Sequence, residues 1–271
     1  VAVDNWIDKE AQVAPSARIG KGVVVEAGAR IGEDCRIGHH TVVSSGVVIG
    51  AGSQIGHGVV LHEGSQIGAN VRIDDHVVVG KWPLRAVNSI LKPTQQLDPT
   101  VIGDRCMIGT HATVYRGCAM GHSILVADQA TLRERTSIGD FTIVGRGVVV
   151  ENDCTVGRYC KLETECYITA YSTIEDRVFI APQVATSNDN FIGRTEERFQ
   201  HFKGVTVRRG GRIGVGSVIL PGRTIEADGV VAAGSVVTRD VPARTIVMGG
   251  PARTLRPVPE EQLLDNQGWP E

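Results

Sequence analysis

The chain has 271 residues, a formal net charge of −2, 33 glycines and only 4% aromatic residues. These values exclude a core built on Phe and Trp and any general attraction for polyanions, although a local basic patch can still grip a phosphate. No apolar run reaches the roughly 18 to 20 residues of a membrane span, and the first residues lack the basic-then-apolar order of a secretion signal, so a cytoplasmic protein with no membrane or nucleic-acid partner is expected.

From Ile7 an aliphatic residue recurs every six positions through Val13, Ile19, Val25, Ile31, Ile37, Val43, Ile49, Ile55, Leu61, Ile67 and Ile73 to Val79. The series restarts at Ile102 and runs to Ile180, then resumes from Val207 to Val237. Gly follows many of these residues, as in Ile19-Gly20 and Ile213-Gly214. Period six fits neither an amphipathic helix nor an alternating strand. It fits a short strand and a turn repeated three times per 18-residue coil, a parallel β-helix. The residue two places before each aliphatic also points inward, with less room, and is small or β-branched, as at Ala17, Val23, Ala29, Cys35 and Thr41. All six cysteines, Cys35, Cys106, Cys118, Cys154, Cys160 and Cys166, fall at that position, which reads as reduced thiols filling small spaces. A zinc site on Cys154, Cys160 and Cys166 is disfavoured because their spacing puts them on three different walls of one coil.

The predicted architecture is all-β, with about 11 coils forming a single domain over residues 1–254 and a tail over 255–271, whose Pro-Glu-Glu-Gln-Leu-Leu-Asp-Asn run would cap the last coil as a short helix. Two stretches break the period, residues 81–100 with three prolines and Trp82, and residues 187–206, polar and aromatic. Such interruptions of a regular scaffold are often functional. Because side chains fill the prism, a ligand must bind on a wall, in a loop-bounded groove or between subunits. A homotrimer with sites in its clefts is therefore expected.

Residues 18 apart stack at about 4.8 Å on one wall. One column reads Arg116, Glu134, Asn152, Ala170, Asn188 and the next Gly117, Arg135, Asp153, Tyr171, Asp189. They supply carboxylates, guanidiniums, amides and a phenol for binding a polar substrate; the alternative is a solvated ion-pair ladder. The column His122, Asp140, Arg158, Asp176 reads as structural pairing, and His111 and His122 are minor candidates for a general base. Lys203, Arg208 and Arg209, beside the Gly210-Gly211 bend, suit a pyrophosphate or a 3′-phosphate, or form a solvated edge.

The repeat resembles that of the hexapeptide-repeat acyltransferases, left-handed β-helix proteins, from about residue 7 to 254. The segment Val231 to Ala252 is similar to the coil and exit loop those enzymes place near the adenine end of coenzyme A. The segments GRGVVVENDCTVG, YITAYSTIEDRVFIAP and ATSNDNFIGRTEERF resemble the sugar nucleotide N-acetyltransferases, above all those acting on dTDP-linked 3-amino-3,6-dideoxyhexoses. The resemblance implies acetyl-CoA as acyl donor, no metal, and a nucleotide-linked amino sugar as acceptor. It also implies that Glu134 in LRERTSIG, and Asn152 and Asp153 in VENDCTVG, hold the amino sugar. Arg116, Arg135, Tyr171, Asn188 and Asp189 would surround the substrate, with Lys81, Trp82 and Arg85 of the first insertion enclosing the nucleotide. A backbone N–H near Ala170 or Ala181 would meet the oxyanion, and Lys203, Arg208 and Arg209 the cofactor phosphates. Other readings are a γ-class carbonic anhydrase, for which His57 and His62 resemble part of the ligand pattern, another O- or N-acyltransferase, and a non-catalytic trimeric scaffold.

Overall fold

The computed structural model describes residues 4–87, 89 and 96–269, so the middle of the first insertion lies outside the described residues. The chain forms two compact units, one ending at Phe141 and one beginning at Thr142. Both are parallel β-helices of the left-handed hexapeptide type. The first unit has seven coils and the second about five, roughly one more than counted from sequence.

In the first unit, the first wall carries Trp6–Ile7, Val24–Val25, Val42–Val43, Val60–Leu61, Val78–Lys81, Thr113–Tyr115 and Thr131–Leu132. Register advances by 18 residues, as in Val24↔Val42 and Val60↔Val78. Across the first insertion Gln66 pairs with Val101, so the stack resumes, with one register shift between Val79 and Lys81 where the insertion begins. The second unit keeps the same step in Val149↔Tyr167 and absorbs its insertion between Thr173 and Thr206.

The period-six residues form the core. From Val25 onward every residue of the three series is at most 4% exposed. Ile7 is exposed, and Val13 and Ile19 are half-buried. The smaller inward positions are closed as well: Val23, Ala29, Cys35, Thr41, Val47, Ser53, Val59 and Ser65 are all 0% exposed. Their hydroxyls and thiols bond to neighbouring carbonyls, as Thr41 Oγ1 does to Gly56 O and Cys35 Sγ to Gly50 O. All six cysteines are free and buried. Burial pushes the thiols of Cys118, Cys154 and Cys166 up to about 12 and that of Cys160 to about 11.

Corners impose two local rules. The residue after the aliphatic is commonly Gly because the next coil passes too close for a side chain; a Cβ on Gly38 would lie 2.4 Å from the backbone of Gly56. The third residue after the aliphatic takes left-handed φ, which costs most L-residues about 1–2 kcal/mol and favours Gly, Asn, Asp and His. Arg135 (φ 56°), Asp153 (59°) and Tyr171 (67°) nevertheless occupy such positions.

The tail differs from the expected helix. Arg253–Pro257 pairs antiparallel with Thr245–Met248, and only two 3-10 turns follow, Glu260–Gln262 and Leu264–Asn266. Leu263 packs against Ile246 and Val258, so capping is achieved by a strand and a hydrophobic anchor rather than a helix.

Candidate functional site

In the first unit, the sequence-predicted residues gather at the corner that leaves the first wall. Glu134 is 0% exposed, deeper than an amine-binding carboxylate on an open wall. Its Oε1 accepts from Arg85 at 3.1 Å, and its Oε2 accepts from Arg133 Nε at 2.9 Å. A buried carboxylate is tolerated only when paired in this way. Arg85 comes from the first insertion, so Glu134 tethers that insertion to the coil.

Arg116, 9% exposed, makes a second tether. Its Nε donates to Leu97 O at 3.0 Å and its guanidinium to Glu63 O at 2.6 Å. The Trp82 ring lies over it at 4.8 Å. Arg116 is thus committed to two backbone carbonyls, one inside the insertion and one in the coil before it. Lys81 and Arg133 both face the Tyr115 ring, at 5.7 and 4.9 Å. Arg135 is exposed and lines a groove of about 400 Å³ with Gln96, Leu97, Asp98, Gly117 and Ala119.

Sequence reasoning missed Tyr115 and Arg133 here and read His62 only as part of a metal-ligand pattern. His62 is half-buried, and burial, followed by the charges of Arg116 and Lys81, lowers its pKa, leaving a neutral imidazole near pH 7. The available signal was the position after the aliphatic. At this corner it reads Glu26, Ser44, His62, Gly80, Tyr115, Arg133, whereas the other two corners are largely Gly.

In the second unit, Asn152 is 3% exposed and donates from Nδ2 to Asp153 Oδ2 at 2.6 Å. Tyr171 N–H donates to Asn152 O, stacking the two coils as the 18-residue register requires, and the Tyr171 ring is exposed. Asn188 O accepts from Lys203 N–H, closing the base of the second insertion. Asp189 is spent inside that insertion. It accepts from the N–H groups of Phe191 and Gly193 and from Arg198. Partial desolvation would raise its pKa, but these donors and the Arg198 charge together hold it below the usual carboxylate range.

The residues expected around the cofactor divide. Ala181 N–H donates to Ile213 O at 2.9 Å and is not available to an oxyanion, because the position after the aliphatic always feeds its N–H to the next coil. Ala170 N–H has no partner among the described residues. Arg208 pairs with Glu175 at 2.6 Å and Arg209 with Asp265 at 3.0 Å. The Lys203 ammonium makes no ion pair among the described residues, and its chain runs along Gly222.

The remaining histidines are corner furniture. His122 Nδ1 accepts Asp104 N–H at 3.0 Å, and His122 N–H donates to Asp140 Oδ1 at 2.7 Å. His111 stacks on His76 at 5.2 Å. His57 and His62 sit on different corners, and among the described residues no group of three His, Cys, Asp or Glu is arranged to hold a metal.

Comparison with known proteins matches residues 1–82 to the GMPPB C-terminal domain family and residues 99–127 to the hexapeptide repeat of succinyl-transferase. A 2,3,4,5-tetrahydropyridine-2,6-dicarboxylate N-acetyltransferase of Staphylococcus aureus is 46% identical over 18% of this chain and 21% of its own length. A dTDP-3-amino-3,6-dideoxy-alpha-D-galactopyranose 3-N-acetyltransferase of Aneurinibacillus thermoaerophilus is 44% identical over 20% of this chain and 28% of its own. Each match thus spans under a third of the relative. Among solved structures, a hexapeptide-repeat acetyltransferase of Vibrio cholerae complexed with acetyl-coenzyme A aligns over 45% of this chain and 71% of its own, at 30% identity and a TM-score of 0.40.

Proposed function

The chain belongs to the hexapeptide-repeat superfamily, and on that premise we propose that it is an acetyl-CoA-dependent N-acetyltransferase acting on a nucleotide-linked, dTDP-type amino sugar. The observation that carries the proposal is the corner in the first unit, where Arg85 of an insertion is tied to Glu134 and Lys81, Arg116 and Arg133 meet the rings of Trp82 and Tyr115. Cations beside aromatic faces suit a nucleoside diphosphate, phosphates taking the cations and the base a ring. Glu134, already paired, orients Arg85 and Arg133 and meets the sugar amine by exchanging one of those partners.

The neutral amine attacks the thioester carbonyl; the C–S bond breaks, and the proton lost by nitrogen goes to the departing sulfur. An amine is already a good nucleophile, so positioning supplies much of the acceleration. In the second unit, Lys203 is the cation suited to the cofactor's phosphates. In this reading the protein works in the cytoplasm as a homotrimer.

The test is a panel of dTDP- and UDP-linked 3-amino and 4-amino hexoses with acetyl-CoA, read by mass spectrometry. One product 42 Da heavier than its acceptor is expected. Absence of product across the panel, together with no rise in melting temperature on adding acetyl-CoA, would remove the proposal.

A further inference from the structure

A second cationic surface lies in the first four coils, apart from the corner described above. Arg18, Arg36, Gln54 and Arg72 are the outward residues of successive strands on the third wall and stand in direct register. They line one groove of about 520 Å³, whose edge is formed by His39 and His57. Arg18 and Arg36 are exposed and make no ion pair among the described residues; Arg72 Nε donates to Asp74 Oδ1 at 2.7 Å. Like charges directly opposed on neighbouring strands are destabilising, so the fold gains nothing from Arg18 over Arg36 in the absence of an anion.

The two imidazoles are held in one state by their backbone partners. Lys21 N–H donates to His39 Nδ1 at 2.8 Å, and His39 N–H donates to His57 Nδ1 at 2.9 Å. The rings stack at 5.0 Å, 7° from parallel. With both Nδ1 atoms accepting, each neutral ring carries its proton on Nε2, leaving two parallel N–H donors along the groove.

We propose that this groove is a binding site for a ligand with linked phosphate groups, such as a di- or triphosphate. Arg18 and Arg36, one strand spacing of about 4.8 Å apart, grip one phosphoryl group between two planar forks, and Arg72, two strands beyond Arg36, takes another. Gln54 and the imidazole Nε2–H groups donate to the oxygens between. No Phe, Tyr or Trp is among the residues that line the groove, so recognition is of the phosphate chain.

Calorimetric titration of the full chain with sodium tripolyphosphate at low salt tests this, with orthophosphate, Arg36→Gln, Arg18→Gln/Arg36→Gln and the exposed control Arg239→Gln run in parallel. Tripolyphosphate is expected to bind at least about tenfold more tightly than orthophosphate, to lose at least about tenfold in the double variant and less in Arg36→Gln, and to be unaffected by Arg239→Gln. The variants lie on the surface, so unchanged circular dichroism and an equal or higher melting temperature without ligand are expected. No binding, equal affinity for the two anions, or equal weakening by Arg239→Gln would each overturn the proposal, the last by showing diffuse charge rather than a site.

Discussion

Glu134→Ala is the substitution that most directly tests the reading of the first corner. It removes a carboxylate that is 0% exposed and leaves the Arg85 and Arg133 guanidiniums, 13% and 21% exposed, without their shared partner. At 3.1 Å and an effective dielectric near 20, one such pair has a gross attraction of about 5 kcal/mol, much of it offset by desolvation. Removing one member of a buried pair costs about 3–5 kcal/mol, and the value falls at the low end because both arginines reach solvent. A loss of about 3 kcal/mol is expected, or roughly 6–12 °C in melting temperature for a unit of this size. The assay is urea denaturation of wild type, Glu134→Ala, Arg85→Ala and the double variant. A coupling between the two sites of about 1–2 kcal/mol is expected. A Glu134→Ala cost below about 1 kcal/mol, or a coupling within about 0.3–0.5 kcal/mol of zero, would refute the claim that Glu134 anchors the insertion.

Arg116→Ala, which deletes two bonds to backbone carbonyls, is expected to cost about 2–3 kcal/mol and to speed proteolysis within residues 81–100, read by peptide mapping. The buried thiols set an alkaline limit: their folded pKa values of about 11 to 12 lie above the ordinary 9.0, so their contribution is complete below pH 9 and declines as pH rises towards 12. Each such thiol contributes a slope of about 1.4 kcal/mol per pH unit in that window, and Cys118→Ala should flatten the denaturation profile between pH 9 and 10.5 by about that slope. Asp189, with its pKa depressed, stabilises the second insertion above the ordinary carboxylate range and loses that effect as pH falls through its folded value. Asp189→Asn should therefore expose Arg194 and Arg198 to trypsin at neutral pH.

Most of the fold was legible because a β-helix repeats one physical problem. Each coil must place an aliphatic residue inward at every wall and a small residue two places before it, so 33 apolar hits in three unbroken runs and six hidden cysteines constrain the register strongly. The tail obeys no such repeat. The Pro-Glu-Glu-Gln-Leu-Leu-Asp-Asn run reads as a short helix, yet Leu263 sits between two 3-10 turns and packs against Val258 and Ile246.

The site was legible to the extent that it follows the 18-residue column, and obscure where a side chain's partner comes from an insertion. Nothing in the spacing reveals that Arg85 reaches Glu134, or that Arg116 points at Leu97 O rather than at a ligand. Glycine held the further clue. Where coils pack closely, a Cβ after the aliphatic is forbidden, as at Gly38 and Gly50, whose added Cβ would meet backbone at 2.4 and 2.5 Å. A corner that carries His62, Tyr115 and Arg133 at that position must therefore be the one whose backbone leaves room for outward side chains. A fold whose coils are filled by side chains must bind ligands outside its core, so the corner that carries Gly only at Gly80 in the first unit marks the candidate site alongside the charges.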